Sequence, residues 1–195
     1  MTADPDRNAA PARRTDARLN RERLVAAAEE VFAEAGPGAS LNAIARRAGV
    51  GPGTLYRHFP NRQSLLTAVL TDRIRALCAR AGELRDTASP DEALARWLTA
   101  FLAHARAHRG MGSALLLDEP GAPPVDCHRV IVDAARDVLG RAQRDGSARA
   151  DLTAEDLVQL VTGIALSTMR GEDEARAARL LDLVLDAAHA APRGG

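Results

Sequence analysis

Residues 44–59 read Ile44-Ala45-Arg46-Arg47-Ala48-Gly49-Val50-Gly51-Pro52-Gly53-Thr54-Leu55-Tyr56-Arg57-His58-Phe59. The pattern predicts two short helices joined by a tight turn at Gly49, because glycine adopts the turn conformation that a side chain resists. Pro52 suits the first position of the second helix, where its missing N–H leaves no bond unmade. Helices joined in this way form a helix-turn-helix, whose second helix enters the DNA major groove. The stretch therefore predicts that the protein reads DNA.

The second helix of this motif has a buried side and an outward side. At 100° per residue, Leu55 and Phe59 mark the buried side, and Gly53 and Arg57 point nearly opposite. The positions on the two edges are Pro52, Thr54, Tyr56 and His58. Arginine can pair with two atoms of guanine, while the polar edge residues can bind phosphates. The alternative is a solvated polar turn that contacts nothing.

Residues around the second helix complete the predicted DNA-contacting set. Ser40 is a suitable N-cap for the first helix of the motif and belongs to this set. Arg46, Arg47 and Arg62 add positive charge on the flanking helices. Gly53 costs roughly 0.5–1 kcal/mol of helix stability relative to alanine and offers no side chain to a base. We therefore expect Arg57 to contribute an unusually large share of base discrimination.

The composition predicts an all-α protein of about nine helices. Hydrophobic residues make up 46% of the 195 residues and aromatic residues only 3%, which favours helix-on-helix packing over a β-sandwich. Residues 1–16 are predicted to be a disordered tail, and the first helix to run from about Asp16 to Ala35. The helix-turn-helix domain is expected at 17–62, a fourth, connecting helix at 62–85, and a C-terminal domain at 63–191.

Charge and cysteine content narrow the class of protein. The formal net charge is zero, with 26 basic and 26 acidic side chains, and every basic residue is arginine. This balance argues against indiscriminate coating of nucleic acid but allows a local basic surface. The two cysteines form no recognisable framework, and no apolar run is long enough for a membrane span. We expect a cytoplasmic protein with no membrane partner.

The segment from Leu41 to Val69 resembles the DNA-binding domain of the TetR/AcrR family of bacterial transcriptional regulators. The residues that carry the resemblance are Ile44-Ala45, Ala48-Gly49-Val50, Thr54-Leu55-Tyr56-Arg57-His58-Phe59 and Leu65-Leu66, with Leu24, Ala27, Ala28, Phe32 and Gly36 before them. The resemblance covers about residues 18–72. It implies that Tyr56 and His58 hold phosphates, as does Arg62, where lysine is commoner. It also implies homodimers, an all-helical subunit and repression relieved by a small molecule.

Two C-terminal helices, predicted at 153–170 and 173–190, have more apolar residues than one buried face uses. Each should therefore be covered on two sides, most economically in a four-helix interface between two subunits. The predicted interface residues are Leu157, Leu160, Val161, Ile164, Leu180, Leu181 and Val184. The alternative is burial of both helices inside a monomer. A symmetric dimer would bind a double-stranded operator with inverted-repeat half-sites about one turn apart.

The C-terminal domain also offers candidate effector residues. These are Trp97, Phe101, His104 and His108 on one row of the helix predicted from Ser89-Pro90 to about His108, and Cys127 on the next long helix. That next helix is predicted from about Val125 to Arg144. Its expected buried face is Cys127, Val130, Ile131, Ala134 and Val138. The row favours a pocket for an apolar or aromatic effector, with ordinary core packing as the alternative.

Other functions find less support in the residues. A metal site built from His104, His108 and either Cys127 or His128 would lack further ligands, so no metal or other cofactor is predicted. The sequence contains no G-x-S-x-G, P-loop or H-E-x-x-H motif, so an enzyme is not expected. An architectural DNA-binding protein without an effector remains an alternative, and its DNA affinity would ignore small molecules.

Overall fold

The computed structural model describes residues 9–107, 127–168 and 174–189, with side chains from Thr15 onwards. These residues form eight α-helices and contain no β-strand beyond an isolated bridge between Ala148 and His189. The helices are α1 (Ala9–Ala35), α2 (Leu41–Arg47), α3 (Pro52–His58), α4 (Arg62–Thr87), α5 (Pro90–Ala107), α6 (Cys127–Asp145), α7 (Ala154–Ser167) and α8 (Glu174–Ala188). The predicted all-α class is confirmed, with eight helices in these ranges where about nine were expected.

The described residues divide into two compact units, one ending at Leu70 and the other beginning at Thr71. Because this boundary falls inside α4, that helix contributes residues to both units. Each unit has its own hydrophobic core. The core of the first unit includes Leu24, Ala28, Phe32, Ile44, Ala45, Leu55, Phe59, Leu65, Leu66 and Val69.

Helix α1 begins at Ala9, before the predicted start at Asp16, so residues 9–16 are helical where a disordered tail was predicted. The segment is rich in alanine and arginine, which are strong helix formers. Pro11 falls in the first turn, where a missing N–H breaks no helical bond. The helix ends as predicted at Gly36, whose φ of +76° lies in the left-handed region that favours glycine.

Helix α4 begins at a well-formed cap. The backbone N–H of Ser64 donates to Asn61 Oδ1 at 2.8 Å, and the Ser64 hydroxyl donates to the Asn61 carbonyl at 2.7 Å. Asn61 therefore occupies the capping role that the sequence predicted. Within the first two to three turns of α4, Leu65, Leu66 and Val69 are buried in the core of the first unit.

In the second unit, α5 packs against α6 and α7 around the fully buried Trp97. The buried face of α6 differs from the predicted one and consists of Val132, Ala135, Val138, Leu139 and Ala142. Only Val138 was expected there, and Cys127, Val130, Ile131 and Ala134 are half-buried. The reason is that α6 has two overlapping apolar rows, and periodicity alone does not tell which one meets α5 and α7.

Helix α7 starts with the predicted capping box. Asp156 N donates to Thr153 Oγ1 at 3.1 Å, and Thr153 N donates to Asp156 Oδ2 at 3.1 Å. The turn before it contains Gly146 at a φ of +84°. Over the described residues, none of the helices combines the length and the apolar character that crossing a membrane requires.

Candidate nucleic-acid interface

Helix α3 is fixed to the first unit by its two apolar residues. Leu55 and Phe59 are 1% and 3% exposed, as predicted. Gly49 has a φ of +68°, and Pro52 occupies the start of α3 after the N-cap Gly51. The N–H of Val50 closes the turn by donating to the Ala45 carbonyl at 3.0 Å. The spacing of α2 and α3 therefore follows from a few local contacts.

The outward side of α3 is open to solvent. Pro52, Gly53, Tyr56 and Arg57 are exposed, and Tyr56 has an exposed fraction of 49% although it is a large, half-apolar side chain. On the edge, Thr54 and His58 are half-buried. The side chain of Arg57 makes no hydrogen bond or ion pair within the part of the chain that the structure describes. This face can therefore contact a partner without first breaking internal bonds.

The two arginines at the end of α2 lie in different environments. Arg47 binds two glutamates of α1, Glu30 at 2.9 Å and Glu34 at 3.0 Å. These contacts, with Glu34 the stronger, raise the pKa of Arg47 above its ordinary value. Arg46 is exposed and makes no ion pair with the other described residues. The structure thus leaves Arg46 available to a polyanion and engages Arg47 internally.

Arg62 is also engaged by the protein itself. Its Nη1 donates to the Pro37 carbonyl at 2.8 Å and to the carbonyl of Ala39. Both acceptors belong to the loop that enters α2, directly before Ser40. Ser40 is the N-cap of α2 by position, but its exposed side chain makes no capping hydrogen bond. The guanidinium therefore fixes the loop from which Ser40 projects.

Arg21 is a residue that the sequence reasoning missed. Its guanidinium carbon lies 5.5 Å from the centre of the Phe59 ring, within the range of a cation–π contact. Phe59 directly follows α3, so a half-buried arginine of α1 sits at the end of the outward-facing helix. The spacing of Arg21 from Val25 and Ala28 was a usable signal, because it continues the buried row of α1.

In the second unit, the predicted effector residues do not line one common cavity among the described residues. Trp97 and Phe101 are buried core residues whose rings stack at 5.7 Å, and Trp97 Nε1 donates to the Leu77 carbonyl at 3.1 Å. His104 and Cys127 are half-buried, and His108 lies outside the described residues. No group of three potential metal ligands occurs in the described ranges.

A separate cleft of about 210 Å³ lies between α5 and α8. It is lined by Thr99, Leu102, Ala103, Arg106, Glu174, Ala177, Ala178, Leu181 and Asp182. Arg106 Nη1 donates to the buried hydroxyl of Thr168 at 2.7 Å. The cleft therefore combines apolar side chains with the guanidinium of Arg106 and the carboxylates of Glu174 and Asp182. No pattern in the sequence indicated this combination.

The predicted interface residues divide between the core and the surface. Leu157, Val161, Ile164 and Leu181 are buried within the single chain, and Leu180 and Val184 are half-buried. Leu160 is 48% exposed and Leu183, which was not predicted, is 56% exposed. These two leucines line an apolar groove of about 340 Å³ between α7 and α8.

Comparison with known proteins agrees with this geometry. Residues 24–69 match the family model for bacterial regulatory proteins of the tetR family, and residues 89–187 match the SbtR-like C-terminal domain of transcriptional regulators. The HTH-type transcriptional regulator UidR of Escherichia coli (strain K12) is 29% identical over 175 residues, which cover 84% of this chain and 88% of UidR.

Two solved structures share the fold over nearly their whole length. A TetR transcriptional regulator from Streptomyces coelicolor is 38% identical with a TM-score of 0.79, covering 88% of this chain and 99% of that one. A TetR regulatory protein from Mycobacterium vanbaalenii is 33% identical with a TM-score of 0.73, covering 90% and 98%. With two family models matched and these identities, the chain belongs to the TetR family of transcriptional regulators, and its first unit is the DNA-binding domain.

Proposed function

We propose that this regulator acts in the cytoplasm as a homodimeric repressor, released from its operator when a small molecule binds the second unit. The observation that supports DNA reading most directly is the exposed face of α3, with Arg57 open and Leu55 and Phe59 anchored below it. Arg57 reads guanine edges in the major groove, while Tyr56, His58 and Thr54 bind phosphates.

The other predicted contacts take two different roles. Arg46 and Ser40, which are exposed, bind phosphates next to the reading helix. Arg47 and Arg62 hold the motif in shape, because Arg47 binds two glutamates of α1 and Arg62 fixes the loop before α2. Phosphate contacts orient the protein on the duplex, and base contacts select the sequence.

The groove between α7 and α8 supports the homodimer. Leu160 and Leu183 lie on adjacent helices and are 48% and 56% exposed, which is unfavourable for large apolar side chains in water. A second copy of the chain would cover this apolar groove. A two-fold interface is self-complementary, so α7 and α8 of both subunits form a four-helix contact. The dimer then presents two copies of α3 to the half-sites of an inverted-repeat operator.

Effector control is proposed to act through α4, which begins in the first unit and ends in the second. The effector is an apolar or aromatic molecule of the second unit, and it favours a conformation whose reading helices no longer match successive major grooves. Trp97 is the only tryptophan, so its fluorescence reports on that unit alone. A compound that changes this fluorescence should lower DNA affinity, and DNA should lower the affinity for the compound by the same factor.

The DNA-reading proposal is tested with Arg57→Ala. The probes are a duplex enriched from a randomised library by the wild-type protein and a random duplex of the same length. We expect the loss on the enriched duplex to exceed that on random DNA by about 5- to 100-fold per half-site, the value of one good base contact. Arg144→Ala, an exposed arginine at the end of α6, is the control. Equal losses on both duplexes would contradict base reading by Arg57.

A further inference from the structure

The first half of α1 has a charge pattern that the helix-turn-helix motif does not explain. Acidic residues stabilise the start of a helix and basic residues its end, because of the helix dipole. Helix α1 has neither feature, with no acidic residue in its first turn and no basic residue in its last. Its first half contains Arg13, Arg14, Asp16, Arg18, Arg21, Glu22 and Arg23, and its second half contains Glu29, Glu30 and Glu34.

The acidic half is already satisfied within the protein, since Arg47 binds Glu30 and Glu34. The basic half has no comparable partner in the described residues. The ion pair of Arg18 with Glu22 is 3.8 Å long, and the two side chains are 71% and 53% exposed. Such an exposed pair contributes little. The excess positive charge in the first half of α1 therefore has no strong counter-charge among the described side chains.

The arginines follow a particular row of the helix. Positions 18, 21, 25, 28 and 32 are separated by steps of three and four residues and so share one face. In the second half of α1 this face is the buried one, occupied by Val25, Ala28 and Phe32. In the first half, among the residues whose side chains are described, the same face has Arg18 and Arg21. The arginine row therefore continues the core-facing side of α1 past the end of the core.

The position of Arg21 links this row to the reading helix. Its guanidinium rests on the ring of Phe59, 5.5 Å from the ring centre, and Phe59 directly follows α3. At a rise of about 1.5 Å per residue, Arg18 lies about 4.5 Å further along the helix axis, towards the start of α1.

We propose that the arginine row, Arg18 and Arg21, binds phosphates of the DNA that flanks the sequence read by α3. The proposal rests on the proposed DNA-reading function and extends its interface beyond the helix-turn-helix motif. DNA is the occupant because the row is purely cationic, continues the side of α1 that packs on α2 and α3, and starts at the end of α3. Phosphates are the partner that such repeated guanidinium groups fit.

The test combines Arg18→Gln and Arg21→Gln with Arg23→Gln as the matched control. Arg23 is an exposed arginine of the same helix that lies on the opposite face from the row. The probe is the duplex enriched by the wild-type protein, with flanks either left long or trimmed to the half-sites. Affinity is measured over a series of salt concentrations.

We expect each row arginine to contribute about one unit per subunit to the slope of log affinity against log salt. The double variant should therefore bind the long duplex at least tenfold more weakly at about 0.1 M salt, with the same factor on random DNA. Trimming the flanks should weaken the wild type and leave the double variant unaffected. Arg23→Gln should behave as the wild type.

If the double variant showed the same salt slope and the same flank dependence as Arg23→Gln, the proposed phosphate binding by the arginine row would be wrong. Because Arg21→Gln also loses the Phe59 contact, Arg18→Gln alone is measured as well, and its thermal unfolding is compared with that of the wild type. If the wild-type protein enriched no sequence at all, the proposed function would fail instead. The slopes on random DNA would then still report on the row.

Discussion

Gly49 and Gly53 lie four residues apart in the same motif, yet glycine has a different physical role at each. Gly49 has a φ of +68°, where a side chain strains the backbone, although nothing lies within 4 Å of a Cβ built there. Gly53 lies inside α3 with ordinary helical backbone and equally open space. The backbone conformation therefore requires glycine at position 49. At position 53 neither the backbone conformation nor the packing within the protein requires it.

This contrast predicts opposite effects of the same substitution. Gly53→Ala should raise the free energy of unfolding by roughly 0.5–1 kcal/mol, because alanine is the better helix former. Gly49→Ala should lower it by about 1–2 kcal/mol, the cost of left-handed backbone for a side chain. Chemical denaturation of both variants measures the two changes. A Gly53→Ala protein less stable than wild type would contradict the view that α3 is an ordinary helix there.

Arg62 and Arg46 form a second contrasting pair. Arg62→Ala should lower the free energy of unfolding by about 1–3 kcal/mol, since the loop carbonyls lose a charged donor, and should leave the salt slope of DNA binding unchanged. Arg46→Ala should leave stability unchanged and reduce that slope by about one unit per subunit. A reduced slope for Arg62→Ala would show instead that this arginine binds phosphate.

Among the helices, α7 has a start that depends on ionisation. The Thr153 hydroxyl donates to Asp156 Oδ2 at 2.6 Å and the Thr153 backbone N–H donates to the same oxygen at 3.1 Å. These bonds hold the pKa of Asp156 below its ordinary value near 3.8. A lowered pKa means that the stabilisation is complete above pH 3.8 and is lost as the pH falls through the pKa of the folded protein.

The capping box therefore predicts a pH-dependent mutational effect. Asp156→Asn should lower the melting temperature at pH 7, and the difference from wild type should shrink as the pH falls below about 3.8. Asp186→Asn, which removes an exposed carboxylate from α8, provides the comparison. Melting curves from pH 7 to pH 3 give the result. If the difference in melting temperature between wild type and Asp156→Asn stayed constant over this range, the ionised carboxylate of Asp156 would not be what stabilises the start of α7.

Subunit association is the property on which bivalent DNA binding depends. Leu160→Glu places a charge in the groove between α7 and α8 without touching the core of its own subunit, because Leu160 is 48% exposed. We expect a folded monomer in sedimentation experiments and an operator affinity reduced by at least about 100-fold, since two linked contacts become one. Ala79→Glu on the exposed side of α4 is the charge-matched control. A Leu160→Glu protein that remained dimeric would place the interface elsewhere.

The helix-turn-helix could be predicted from sequence because each of its features is local. The turn at Gly49, the proline at the start of α3 and the spacing of Leu55 and Phe59 all act within a few residues. The partners of Arg47 and Arg62 could not be predicted, since a long, flexible side chain reaches residues far away in the chain. The buried face of α6 was ambiguous because two apolar rows overlap on it.

The contact between Arg21 and Phe59 has a consequence for how the protein would dissociate from DNA. Phe59 is anchored in the core at the end of α3, and the arginine row runs away from the same ring. The end of the reading helix and the start of the arginine row are therefore joined by one direct contact. If the proposed contacts form, a tilt that lifts α3 from the groove also lifts the arginine row from its phosphates, and the two losses in affinity multiply because their free energies add. A small displacement of this unit would therefore weaken both proposed contacts at once.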